Sequence, residues 1–130
     1  MPTKDAIHQQ ASFVPPAAVA KAANEGLMLR MKFRRGSTVV GIALGHELAK
    51  RAPIPAPVIR RMYSYFARHE VDKKGKNFGN EARPSNGRIA WLLWGGDAGK
   101  EWAASIRKKL VEESSSKRKP RRDYNPTHVL

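Results

Sequence analysis

Arg88-Ile-Ala-Trp-Leu-Leu-Trp-Gly-Gly-Asp-Ala-Gly-Lys-Glu-Trp-Ala-Ala-Ser-Ile-Arg-Lys-Lys-Leu110 holds all three tryptophans of the chain, Trp91, Trp94 and Trp102. Ile89, Leu92 and Leu93 recur at i, i+3 and i+4, the period of a helix. Gly95 and Gly96 stop that helix, because glycine accepts the left-handed conformation of a helix end. Asp97 can cap a second helix, in which Ala98, Trp102, Ile106 and Leu110 fall four apart. Two amphipathic helices joined by Gly-Gly-Asp must fold back or cross steeply. The indoles are the largest apolar surfaces available, so this corner is expected to nucleate the core.

Upstream of the corner the chain reads as further helices. Pro15-Pro16 suits a first helical turn. Val19, Ala23, Leu27 and Met31 then keep four-residue spacing towards Phe33, before Gly36. Basic residues crowd the end of this helix, where they complement its dipole. Ser37-Thr38 can cap Val39–Lys50, in which Val40, Ala43, Leu44 and Leu48 fit a helix. Val39–Leu44 alone also fits a strand, and Gly41 and Gly45 weaken the helical reading. Pro53, Pro55 and Pro57 break the segment. A strongly basic helix follows over Val58–His69, with Ile59, Met62, Tyr63 and Phe66 as its buried stripe. Residues 70–86 read as a long loop, a functional or mobile feature in so small a domain. The fold class is therefore all-α, a bundle of about five helices with extended arms at both ends.

The chain divides into an N-terminal arm (1–14), a basic helical domain (15–113) and a basic tail (114–130). At 130 residues it has room for one core. No run of about 18 apolar residues is present, so no membrane span is expected. The first ten residues lack the apolar centre of a signal peptide. With no cysteine there is no disulfide and no zinc thiolate site, which fits a reducing compartment. The 25 Lys and Arg outnumber the 11 Asp and Glu, for a net charge of +14. Leaving out everything beyond Glu113 still leaves 20 basic and 10 acidic residues, so the folded part is itself basic. Such a field attracts nucleic acid or an acidic protein surface. Its expected contacts are Arg60, Arg61 and Arg68 on the basic helix, and Lys73, Lys74, Lys76 and Arg83 in the loop. The tail adds Lys117, Arg118, Lys119, Arg121 and Arg122, in a low-complexity stretch expected to be disordered alone.

Catalytic and metal patterns are weak. His46-Glu47 and His69-Glu70 each lack the second histidine of a zinc-protease helix. His69, Glu70 and Asp72 read as a charged helix end. Gly95–Glu101 imitates a phosphate loop, but it is one residue short and puts Glu101 where magnesium needs a hydroxyl. No serine elbow and no paired carboxylates on one helical face appear, so neither enzyme activity, metal nor cofactor is expected. The corner also fits a helix-turn-helix with Lys100, Glu101, Ser105 and Lys108 facing outward. Base-reading Asn and Gln are missing from its second helix. Non-specific phosphate contact is the better expectation, and the tryptophans are read as core more than as stacking platforms for bases.

Four runs of the sequence, Phe13–Pro16, Gly36–Ala43, Ile59–Lys73 and Pro84–Ala103, resemble a small helical domain of tailed-phage and prophage proteins. That domain occurs alone or attached to head-associated proteins. The chain has Pro55-Ala-Pro57 where members often place a capping Ser-Pro-Glu, which implies different capping there. The resemblance implies a non-enzymatic virion accessory protein, present in the virion and, before assembly, in the host cytoplasm. It implies phage capsid, portal or neck proteins as partners, in a multi-copy assembly, with non-specific DNA contact besides. The arms would then order on neighbouring subunits through Phe13, Val14, Tyr124, Val129 and Leu130. The alternative is a sequence-tolerant or helix-turn-helix DNA-binding protein acting in the infected cell.

Overall fold

The computed structural model of the protein describes residues 11–123, with side chains up to Ser115. Its helices are α1 (Ala17–Phe33), α2 (Val39–Ala49), α3 (Ala56–His69), α4 (Asn86–Leu93) and α5 (Gly96–Asp123). A 3-10 helix at Glu70–Lys74 follows α3. Two strands of two residues, β1 (Ser12–Phe13) and β2 (Ile54–Pro55), pair antiparallel. The all-α class expected from the periodicity is the observed one.

The caps follow local chemistry. Thr38 accepts a hydrogen bond from the Gly41 backbone at 3.3 Å and opens α2, while Ser85 accepts from Arg88 at 3.0 Å and opens α4. Both satisfy amides that a helix start leaves unpaired. Pro55 precedes α3 and Pro57 lies in its first turn, so α3 starts at Ala56, two residues earlier than the sequence suggests. At the tryptophan corner Gly95 has φ +114° and Gly96 φ +64°. Only glycine adopts such angles without strain. Helix α5 begins at Gly96, which places Asp97 in its first turn and not at its cap.

Helix α1 is central: it packs against α2, α4 and α5, and α3 packs on α5 from the other side. The core joins Val19 and Ala23 of α1, Leu44 and Leu48 of α2, Ile59, Met62 and Phe66 of α3, and Ile106 and Leu110 of α5. Trp91 and Trp94 are buried with them and Trp102 is half-buried, so the indoles are core. Tyr65 stacks on Trp94 with centroids 4.2 Å apart, and Phe66 meets Trp91 edge-on at 4.8 Å.

Several sequence expectations need correction. The stripe of α3 includes Tyr65, which is 4% exposed, in place of Tyr63 at 36%. Both positions flank Ile59, Met62 and Phe66 on the helix, and it is Tyr65 that meets the indole of Trp94. Met31 is exposed, because α1 buries Val19, Ala20, Ala23 and Gly26 instead. Among the described residues of α5 the buried positions are Gly96, Gly99, Ala103, Ile106 and Leu110, whereas Ala98 and Trp102 are half-buried. Residues 11–14 belong to the body: Ala11 accepts from the Ala56 amide at 3.1 Å, and Phe13 packs on the core. Phe13 is thus an anchor within its own chain, and Val14 is exposed. The long loop is partly regular, since Glu70–Lys74 is helical and Ser85 donates its amide to Asn77 at 3.1 Å. Finally, α5 runs on to Asp123 where the composition predicts an irregular tail. Propagating a helix that already exists costs far less than nucleating one, so the Ser-Lys-Arg stretch extends it.

Candidate anion-binding surface

The 3-10 helix seats its charges on the corner. Lys73 lies 2.8 Å from Asp97 and 3.5 Å from Glu70, with its ammonium 4.7 Å from the Trp91 ring centroid. Lys100 reaches Glu70 at 2.7 Å, and Trp91 donates its indole N–H to Asp97 at 2.9 Å. Hydrogen bonding from Lys73, helped by Trp91, holds the Asp97 carboxyl below its usual range. Hydrogen bonding from Lys100 does the same for Glu70. The Asp97 hydrogen bond raises Lys73. Lys73 therefore serves as an internal counter-ion and not as a free surface cation. Lys100, expected to face DNA in a helix-turn-helix, is likewise occupied.

These shifts fix the pH behaviour of the cluster. Asp97 and Glu70 titrate lower folded than unfolded, so their contribution is present above about pH 4 and fades as pH falls through the folded pKa. Lys73 titrates higher folded, so its contribution is complete below about pH 10 and fades as pH rises through the folded value. Asp97→Asn is expected to lower the melting temperature at pH 7 and to lower it less at a second, acidic pH below the folded pKa of Asp97, where wild type has lost that charge too. Circular-dichroism melts at the two pH values check this. An equal drop at both would show that the ion pair contributes nothing.

The arginines of α3 are exposed, with Arg61 and Arg68 on one side of the helix, about 20° apart, and Arg60 turned away from them. Positions 60 and 61 point about 100° apart around the helix, and each borders a different recess. Arg60 lines a groove of 490 Å³ between α3 and α5, with Tyr63, Ser64, Arg107, Leu110, Val111, Ser114 and Ser115. Arg61 lines a groove of 460 Å³ between α2 and α3, walled by Val39, Val40, Leu44, Ile54, Val58 and Trp94. Arg68 lines a pocket of 440 Å³ with Ser37, Thr38, Tyr65, His69 and Asp72. In that pocket His69 Nδ1 lies 3.0 Å from Asp72 Oδ2, and His69 stacks on Tyr65. Burial, with Asp72 nearby, pushes the Tyr65 phenol far above its ordinary pKa, so it stays neutral. Lys74, Lys76 and Arg83 are exposed on the segment after α3. Tyr124, Val129 and Leu130, and the side chains of Lys117, Arg118, Lys119, Arg121 and Arg122, lie outside the described residues.

The α3–α5 groove has the chemistry of an anion site. Its described lining holds two arginines and four hydroxyl-bearing residues and no carboxylate. The Arg107 guanidinium stands 4.3 Å from the centroid of the Tyr63 ring, a stacking contact that orders it. Arg107 and Tyr63 are the residues that sequence reasoning missed. Arg107 follows buried Ile106 and looks like one more cation on a long helix. Tyr63 passes for core until its exposure is seen.

No cluster of His, Asp or Glu able to hold a metal occurs among the described residues. No described helix is long and apolar enough to cross a membrane. The chain matches no family profile, no curated protein and no solved structure.

Proposed function

We propose that this protein is a non-enzymatic accessory component of a phage particle that holds a polyanion against its basic surface. The resemblance of its four sequence runs to the phage helical domain supplies the setting. The observation that carries the binding role is the division of its charges. Glu25, Glu47, Glu70 and Asp97 are each paired with a cation of the same chain. Arg60 and Arg107 border a groove with no carboxylate among its described lining residues. Cations left unopposed on a folded surface attract phosphates or acidic side chains. The partner is packaged DNA or an acidic face of a capsid, portal or neck protein, and many copies acting together would strengthen weak single contacts.

Mass spectrometry of purified particles is expected to find this chain in defined stoichiometry with the head proteins. Particles that never contain it would sink the virion assignment. In solution the protein is expected to bind duplex DNA without sequence preference. With six or more phosphate contacts, affinity would fall by about 10³ between 50 and 200 mM salt. A footprint at one sequence that survives high salt would favour instead a DNA reader acting in the infected cell.

A further inference from the structure

We infer that the α3–α5 groove is a phosphodiester site for a polynucleotide strand, with Arg60 and Arg107 as its anion contacts and Tyr63 as the residue that positions Arg107. The inference rests on the polyanion reading above and selects nucleic acid within it. Every polar side chain bordering the groove can donate: two guanidinium groups and the hydroxyls of Tyr63, Ser64, Ser114 and Ser115. A lining without a carboxylate suits a ligand that is mostly acceptor and negatively charged. Phosphate oxygens take hydrogen bonds from arginine and from Ser, Thr or Tyr hydroxyls in this way.

Shape adds a second reason. From Arg107 to Ser115 the groove follows eight helical steps, about 12 Å at 1.5 Å per residue. A polynucleotide carries a phosphate on every nucleotide, so a groove of this length can meet more than one successive phosphate of a strand. An acidic peptide would bring spaced carboxylates and apolar neighbours. The aliphatic side chains it would meet are Leu110 and Val111, and Leu110 is 4% exposed. Arg107 is also held in advance: stacking on Tyr63 orders the guanidinium, so binding costs less rotamer freedom.

The test uses the full chain, a fluorescent mixed-sequence 20-base-pair duplex as probe and anisotropy over a range of KCl concentrations. R60A/R107A is expected to weaken binding about a hundredfold at low salt and to make the log K against log salt slope shallower by about two, one unit for each phosphate no longer neutralised. Tyr63→Leu is expected to weaken binding severalfold, and Tyr63→Phe, which keeps the ring under Arg107 and loses one hydroxyl, to recover most of it. R60Q/R107Q should match R60A/R107A, and all three sites are exposed, so circular dichroism should report an unchanged fold. Wild type that binds while both double variants keep its affinity and slope would overturn the groove and leave the polyanion reading standing. Preference for an acidic polyglutamate peptide over the duplex, abolished in R60A/R107A, would overturn the phosphodiester assignment in favour of a protein partner. A wild-type protein that binds neither probe at low salt would overturn both.

Discussion

Replacing Trp91 by alanine is expected to lower the stability of the protein by about 3–5 kcal/mol, the usual result of deleting a large buried aromatic. Trp91 is 2% exposed and joins three parts of the structure. Its ring meets Phe66 edge-on and lies 6.5 Å from Phe78, which belongs to the segment between the 3-10 helix and α4. Its N–H reaches Asp97, and Lys73 sits over its face. The truncation would therefore open a cavity under α3 and remove the support of the Lys73–Asp97 pair together. A small domain holds only about 5–15 kcal/mol in total, so a large share of its stability goes. Urea denaturation followed by circular dichroism measures the loss. Trp91→Phe, which keeps an aromatic ring and loses the N–H, should cost about 1–2 kcal/mol. A loss below about 1 kcal/mol in Trp91→Ala would show that the corner does not organise the core.

Gly26→Ala should destabilise by about 2 kcal/mol, whereas Gly45→Ala should cost clearly less. Both glycines face Leu93 of α4, but they meet different atoms. A Cβ at Gly26 would lie 2.7 Å from the backbone nitrogen of Leu93 and 3.0 Å from the carbonyl carbon of Leu92. Backbone cannot rotate aside, so α1 and α4 would have to separate. A Cβ at Gly45 would lie 2.7 Å from Cδ2 of Leu93 and 3.4 Å from its backbone oxygen, so a buried side-chain end must shift but no backbone is forced apart. Alanine at either position gains about 1 kcal/mol of helix propensity over glycine. Thermal melts of the two variants test the contrast. Equal losses would mean that α1 and α4 are not held at backbone contact. Gly41 and Gly45 weaken α2 as a helix in isolation, yet both are buried within it. Propensity yields there to close packing.

Much of the architecture is determined by the sequence alone. The periods of α1, α3 and α5, the Thr38 cap and the Gly95-Gly96 turn rest on chemistry between near neighbours, and local chemistry is legible one segment at a time. The same holds for the net charge and for the burial of Trp91 and Trp94. Tertiary structure decided what depends on partners distant in the chain. Tyr65 is buried and Tyr63 exposed because Trp94 stacks on one of the two positions that border the helical stripe. Lys73 leaves the basic surface because folding brings Asp97 to it across 24 positions of sequence. Arg107 enters the candidate site because α5 lies along α3 and sets its guanidinium over the Tyr63 ring. Charge can be counted residue by residue, but which charges remain free is a property of pairs. Pairs between distant residues form only when the helices pack.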